Sequence, residues 1–370
     1  MEWHEGFRKQ IEYCTYCPKL CRFSCPVAEA ESMETFTPTA KATVMKLIMD
    51  GVMPLDRDAA DVLYACNACR ITQTYCEHDI DAYPPMEAAR SQAVLKGVAP
   101  DSVGNYWEKW SKRKNPFDED LSAAIKEHAP AERIGNSAPV VLFTGCVGPH
   151  YFPDSVSDAA KVLDAMGADY TVYAKEEMCC GYPALTLGYK EGFIKQAKKI
   201  AEDLSGAELV ISPCPSCVHF LKDRYPEFGI ELSAEIKHIT QFIFENLDKL
   251  DISEKDDRKV IYHDPCYLGR YLGVYEEPRK ILESAFEKAP LEFFENHDAA
   301  PCCGGGGGVP VTRPETARKI SGKKVLAAKE SGAGLIATAC PTCRRMLGRS
   351  GKDLGIECED ITAILAKCIS

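Results

Sequence analysis

The sequence predicts an α/β protein in three parts: an all-α amino-terminal unit, then two pseudo-symmetric α/β units with largely parallel sheets. Three observations carry this. Residues 1–100 are mostly helical in pattern. From residue 138, short apolar strand-like runs alternate with helix-spaced segments, the way βαβ units read. The same order of elements then recurs from about residue 251, which marks an internal duplication.

The bulk numbers bound the answer. A chain of 370 residues is long enough for two or three domains. Its hydrophobic fraction of 45% and charged fraction of 27% are ordinary for a globular protein. A net charge of -11 argues against a nucleic-acid partner. The opening "MEWHEGFRKQ" is polar, with no apolar secretory core behind it, and no apolar run approaches a membrane span, so no direct membrane insertion is expected. The 19 cysteines are too many and the chain too long for a disulfide-stapled secreted scaffold. A reducing cytoplasm is therefore the expected location, with clustered thiolates acting as metal or redox ligands.

The elements follow in order. Within residues 1–100, "TPTAKATVMKLIMDGV" opens with Thr and Pro and continues at helical spacing, and "DRDAADVLYAC" and "MEAARSQAVLKGV" read alike. Residues 101–137, with "SKRKNPFDED", read as a polar, solvated connector without cysteine. Residues 138–250 open with the strand "PVVLFTGC", then the helix "DSVSDAAKVLDAMGA", the strand "YTVYA", a Cys-Cys-Gly, the helix "KEGFIKQAKKIAEDL" and the strand "AELVISPCPSC". Residues 251–370 repeat this with "KVIYHDPC", "PRKILESAFEK", "LEFFENH", a second Cys-Cys-Gly, "PETARKISGKKVLAAKES" and "AGLIATACPTC". Ligands of such units gather at the carboxyl ends of strands, where these cysteines fall.

The amino-terminal cysteines form two runs. "CTYCPKLCRFSCP" supplies Cys14, Cys17, Cys21 and Cys25, and "CNACRITQTYCE" supplies Cys66, Cys69 and Cys76. They approach the bacterial ferredoxin pattern, in which the last cysteine of each run reaches the other cluster. By that rule Cys14, Cys17, Cys21 and Cys76 complete one [4Fe–4S] cubane. The second set, Cys25, Cys66 and Cys69, is one ligand short, because Thr72 stands where a cysteine is usual and Glu77 where proline is. It holds a three-iron cluster, takes a non-cysteine ligand such as Asp79, or stays empty. The long helix-patterned stretch between the runs favours a helical ferredoxin-type domain. A four-cysteine zinc site is the plain alternative, but Cys21, Cys25 and Cys76 are surplus to it.

Each α/β unit offers five cysteines: Cys146, Cys179, Cys180, Cys214 and Cys217 in the first, and Cys266, Cys302, Cys303, Cys340 and Cys343 in the second. Five thiolates exceed the four of a zinc ion or an ordinary cubane, so a larger or more open iron–sulfur assembly is expected. Glycine after each pair allows unusual backbone angles and leaves room beside the metal, and Gly304 to Gly308 extend that room.

These residues carry a family resemblance over nearly the whole chain. It resembles the cysteine-rich CCG-domain proteins: catalytic subunits of heterodisulfide reductase, here with a fused helical ferredoxin domain, and related iron–sulfur subunits of respiratory oxidoreductases. The resemblance implies a non-cubane [4Fe–4S] cluster on each five-cysteine set, the two facing each other with a disulfide substrate between them. It implies single electrons arriving through the ferredoxin cubanes, and sulfurs of the split disulfide bound to iron. No flavin or nicotinamide fingerprint is present, so a flavoprotein partner, of the electron-bifurcating kind in some relatives, and other redox subunits of a hetero-oligomeric complex are expected. Similar subunits occur in tungsten-class benzoyl-CoA-reducing assemblies. The rival expectation is a subunit of a lactate, glycolate, glycerol-3-phosphate or sulfite-linked respiratory system, relaying electrons toward quinone through a membrane protein. Of the remaining residues, His263 is a weak candidate proton donor, set against a locally bonded loop histidine. Arg270, Arg344 and Arg345 either tune the site, hold an anionic substrate, or lie on the surface. Cys358 and Cys368 read as structural thiols.

Overall fold

The structure is a computed structural model and describes residues 3–369. Its amino-terminal part is helical, with main helices Arg8–Tyr16, Pro38–Met49, Arg57–Tyr64 and Tyr83–Leu95. Local chemistry starts them. The Thr37 side chain accepts from the Ala40 amide with Pro38 in the first turn, and Asp56 accepts from the Ala59 amide. Their apolar faces, including Ile11, Met45, Leu63 and Met86, meet in one buried core.

Two four-stranded sheets follow. The first holds β1 (Val140–Leu142), β2 (Tyr170–Val172), β3 (Leu209–Ser212) and β4 (Glu235–His238), in the order β2-β1-β3-β4. The second holds β5 (Val260–His263), β6 (Leu291–Glu292), β7 (Leu335–Thr338) and β8 (Glu357–Asp360), in the order β6-β5-β7-β8. Every pairing is parallel. The register repeats too: Val140 stands opposite Leu209, and Val260 opposite Leu335. In each sheet the strand order reverses beside the first strand, so a crevice opens there at the carboxyl ends.

The structure adds to the expected elements. β4 and β8 were not announced by periodicity; they are edge strands carrying Glu235, Lys237, Glu357 and Glu359, charges that discourage pairing with another chain. The run "LEFFENH" yields only Leu291–Glu292. Residues 101–137, expected as a solvated connector, contain helices Asp101–Arg113 and Leu121–His128, and bury Trp110, Leu121 and Ile125 in the core of the first unit. That core continues into the second unit, where Asp154–Ala165 packs on Ile361–Cys368 and Ile239–Glu245 on Glu276–Ala285. Among the described residues, no helix is long and apolar enough to cross a membrane.

Candidate metal centres

Each sheet delivers its five cysteines to one place. In the first unit Cys146 follows β1, Cys179 and Cys180 follow β2, and Cys214 and Cys217 follow β3. In the second, Cys266 follows β5, Cys302 and Cys303 follow β6, and Cys340 and Cys343 follow β7. Cys340 stands at the N-cap position of the helix Pro341–Gly351, where the Cys343 amide favours its thiolate. The sulfurs touch: Cys343 Sγ lies 3.3 Å from Cys303 Sγ. All but Cys266 are buried.

Crowding sets the chemistry. Cys146, Cys217 and Cys343 are driven well above the usual thiol range, first by donating to neighbouring sulfurs and then by burial. Cys180 is raised by donating to Cys179, and Cys302 by donating to Cys266. Cys179 and Cys303 go the other way, because their neighbours donate to them. Five thiols at this density cannot all ionise unless a cation compensates them, and iron supplies that charge. The donor sets fit an iron–sulfur group on this ground.

The glycine after each pair has a specific task. Gly181 and Gly304 adopt left-handed backbone angles, φ +85° and +86°, and turn their amides onto the first cysteine of the pair. Gly181 N–H lies 3.4 Å from Cys179 Sγ, and Gly304 N–H 3.3 Å from Cys302 Sγ. Such N–H···S contacts favour a charged thiolate. A side chain would also collide there, since a Cβ would stand 2.7 Å from the Phe193 ring at Gly181 and 2.6 Å from the Ala317 carbonyl oxygen at Gly304.

Both sets open onto a single cavity of about 390 Å³ between the units. Its lining includes all five cysteines of the first set and four of the second, Cys302 lying outside it. Tyr106, Tyr182 and Tyr267 shape the walls, and Arg318, Arg345 and Arg349 lie on one side with no carboxylate in the lining. Arg318 is paired with Glu315, while the Arg345 guanidinium sits 3.8 Å from the centre of the Tyr151 ring. Arg344 lies instead over Phe152 beside a separate small cleft. Arg270 is no surface residue: it donates to the carbonyls of Cys69, Asp298 and Ala300.

Cys14, Cys17, Cys21 and Cys76 line one cavity of about 180 Å³. Burial and then mutual repulsion push Cys14 up to about 12 and Cys21 up to about 11, again a donor set that calls for metal charge. The Lys19 amide lies 3.3 Å from Cys17 Sγ and the Ile80 amide 3.5 Å from Cys76 Sγ. Thr72 lines this same cavity. Asp79, at the turn after Cys76, is exposed and accepts from Gln73.

Cys25, Cys66 and Cys69 share a residue that sequence reasoning missed. Lys41 is 1% exposed, and its Nζ lies 3.8 Å from Cys25 Sγ. Its charge also favours the thiolates of Cys66 and Cys69. A lysine at a buried position of the helix Pro38–Met49, sixteen residues after Cys25, was the available signal. Cys69 is held below the usual thiol range, first by the Cys302 thiol and, against burial, also by Arg270.

The loop from Cys66 to Cys69 is set into the second unit. Asn67 Nδ2 donates to the carbonyls of Gly304 (3.0 Å) and Gly306 (3.3 Å), and Tyr271 Oη to that of Ala68 (2.9 Å). Arg90, fully buried, donates to the carbonyls of Leu63, Cys66, Thr186 and Gly307 and so ties all three parts together. A Cβ on Gly306 would stand 2.4 Å from Asn67 O, and one on Gly307 2.0 Å from Cys66 O. Gly306 and Gly307 therefore serve the close approach of this loop, while a Cβ on Gly305 would stand 3.4 Å from Cys303 Sγ. His263, expected as a loop histidine or proton donor, ends β5 at 1% exposure, and its ring faces the thiols of Cys303 and Cys343. Burial lowers its pKa, opposed by the neighbouring Cys303 thiol.

Strand-end thiols on a duplicated parallel sheet, with a helical cysteine-bearing unit beside them, define an iron–sulfur redox protein. Residues 140–222 and 260–348 each match the family model "Cysteine-rich domain" (CCG). The D subunit of the dihydromethanophenazine:CoB–CoM heterodisulfide reductase of Methanosarcina acetivorans is 31% identical over 84% of this chain and 78% of its own length. The B subunit of the fumarate reductase (CoM/CoB) of Methanothermobacter marburgensis is 29% identical over 91% of this chain and 67% of its own. The probable iron–sulfur-binding oxidoreductase FadF of Bacillus subtilis is 27% identical over 83% of this chain and 46% of its own. The chain belongs to the CCG family of iron–sulfur proteins, which includes the D subunit of heterodisulfide reductase. It has the role of an oxidoreductase subunit.

Proposed function

We propose that this chain is the disulfide-reducing iron–sulfur subunit of a heterodisulfide-reductase-like complex, supplied with electrons by a flavin-containing partner. The observation that carries the proposal is the single cavity onto which nine of the ten strand-end cysteines open. The ligands would be the two five-cysteine sets for non-cubane clusters, and Cys14, Cys17, Cys21 and Cys76 for a cubane. When bound, these groups would supply one-electron transfer from the ferredoxin part to a disulfide that takes two electrons.

The chain's own residues would do the rest. The thiolates would fix the groups at the strand ends, and the left-handed Gly181 and Gly304 would hold amides on Cys179 and Cys302. The tyrosines would exclude bulk water from the cavity. Arg345 and Arg349 would attract a substrate carrying anionic groups, since no carboxylate in the lining opposes them. Reduction breaks the S–S bond, consumes two electrons and two protons, and releases two thiols.

The test uses the full chain purified without oxygen, assayed for iron and acid-labile sulfide, then reduced with a viologen dye. Addition of the CoB–CoM heterodisulfide should reoxidise the dye, with two thiols released per disulfide. Iron-loaded protein reoxidised by a quinone analogue and inert to disulfides would overturn this in favour of an electron relay. An iron-free chain would overturn both.

A further inference from the structure

The two five-cysteine sites have matching cysteines and different surroundings. Strand register makes the correspondence exact in number: Val140 pairs with Leu209 as Val260 pairs with Leu335. Counting forward, Leu142 corresponds to Tyr262, Phe143 to His263, and Cys146 to Cys266. The first unit thus places a phenyl ring, fully buried, where the second places an imidazole.

That imidazole is unusual in three ways. It is buried, and its ring nitrogens face cysteine sulfur alone, with Cys303 the nearest partner and no oxygen or nitrogen bonded to them. A polar group so poorly partnered in such a place is destabilising, so native chains rarely keep one without a use. Next, a ring nitrogen, Cys303 Sγ and Cys343 Sγ all lie within 4.8 Å of one another. One iron bonded to a nitrogen and two thiolates needs separations of this order, given bonds of roughly 2.0–2.3 Å. Last, the ring's partners are two members of the five-cysteine set itself. Phe143 shows that an apolar ring fills this place in the first unit, so packing alone does not call for an imidazole.

We propose that His263 is a nitrogen ligand of the iron held by Cys303 and Cys343, so that the second site has five thiolates and one imidazole while the first has thiolates alone. This rests on the iron–sulfur reading above and adds a donor that the cysteine pattern does not contain. The imidazole adds a neutral nitrogen donor to a full set of five thiolates, so the second iron environment differs from the first and its potential differs with it. The second site is also the one next to the cysteine loop of the amino-terminal unit.

The experiment uses the full chain, purified anaerobically with iron and sulfide measured, from cells grown with natural or ¹⁵N-labelled histidine. Pulsed EPR is recorded across a redox titration. The proposal expects a strongly coupled nitrogen on one signal, with the coupling rescaled by the label. It expects loss of that coupling in both His263→Phe and His263→Asn, with iron content retained and the potential of one of the two sites shifted while the other holds. Cluster signals showing no histidine nitrogen coupling in the wild-type chain would overturn the proposal while leaving the iron–sulfur reading standing. A coupling that survives in either variant would do the same. A wild-type chain without iron or sulfide would overturn the parent reading. Because the wild-type measurement needs no substitution, a variant that fails to fold does not shelter the proposal.

Discussion

Gly307→Ala tests whether the cysteine loop 66–69 is held by its seat in the second unit. Gly307 has φ +61°, and a Cβ there would lie 2.0 Å from Cys66 O and 2.8 Å from Asn67 Cα. Ordinary contact begins near 3.4 Å, so the loop must retreat by about 1.4 Å. The left-handed angle alone disfavours alanine by about 1–2 kcal/mol. Retreat also disturbs the Arg90 bond to Gly307 O (2.7 Å), and bonds from a charged donor contribute roughly 1.5–3 kcal/mol. About 3 kcal/mol of local stability should be lost. At 1.4 kcal/mol per decade, this predicts amide exchange of the 68–70 segment about 100-fold faster in native-state hydrogen–deuterium exchange. Gly322→Ala is the matched control. It sits inside the helix Pro314–Glu330 with nothing within 4 Å of its added Cβ, and should stabilise by about 0.5–1 kcal/mol. Exchange of the loop accelerated less than about threefold in Gly307→Ala would refute the argument that this seat is tight.

Three further outcomes follow from the same geometry. Cys76→Ser removes one of the four thiols around the first ferredoxin cavity, and should lower iron by up to about four atoms per chain while the strand-end sites keep theirs; unchanged iron by chemical assay would show that this set is not a ligand set. Arg345→Ala should weaken binding of an anionic disulfide by about ten- to a hundred-fold in calorimetric titration, the worth of one charge-assisted hydrogen bond, with a neutral disulfide unaffected. Asp360 is pushed up to about 6, first by burial, against the pull of the Thr362 amide and Arg344. Below about pH 4 it is neutral folded and unfolded; as pH rises through 6 the folded chain must bury a charge, and stability falls. Asp360→Asn keeps the helix cap and should match wild type near pH 4 while exceeding it at pH 8 by on the order of 2 kcal/mol in denaturant unfolding; parallel profiles would contradict the assignment.

The duplication was legible because it is written locally. Strand, helix and cysteine order recur within each unit, and the strand-end thiols fall where a parallel sheet must place its ligands. That Cys76 lines one cavity with Cys14, Cys17 and Cys21 agrees with the ferredoxin-like pattern of the two runs, in which the last cysteine of one run crosses to the other. What escaped lies in contacts between distant segments. Gly306 and Gly307 meet Asn67 and Cys66 across more than two hundred residues, and no local pattern distinguishes that use of glycine from open space. Lys41 sits in an ordinary helical run, and only the fold places it beside Cys25. β4 and β8 escaped because edge strands with alternating charge read as loops. Helix Asp101–Arg113 escaped because its many polar residues hide Trp110, which fills the core of the first unit.

Trp110 carries the last prediction, because it shows how equal ligand sets become unequal sites. The first cysteine of each pair meets a group from outside the repeat: Cys179 meets Trp110, and Cys302 meets Cys69. Trp110 Nε1–H is buried, makes no conventional hydrogen bond, and favours the Cys179 thiolate. A donor facing a ligand sulfur stabilises the more negative, reduced state of an iron–sulfur group and so raises its potential. Trp110→Phe removes the N–H and keeps an aromatic ring in the core. The first site's potential should fall while the second site's holds, read by EPR-monitored redox titration of the full chain. Both potentials moving together would mean that the change spreads through packing, and the assignment of Trp110 to one site would fail. Separate movement would mean that a fold copied twice was made directional by what surrounds each copy, an ordering useful to a reaction that needs two electrons delivered one at a time.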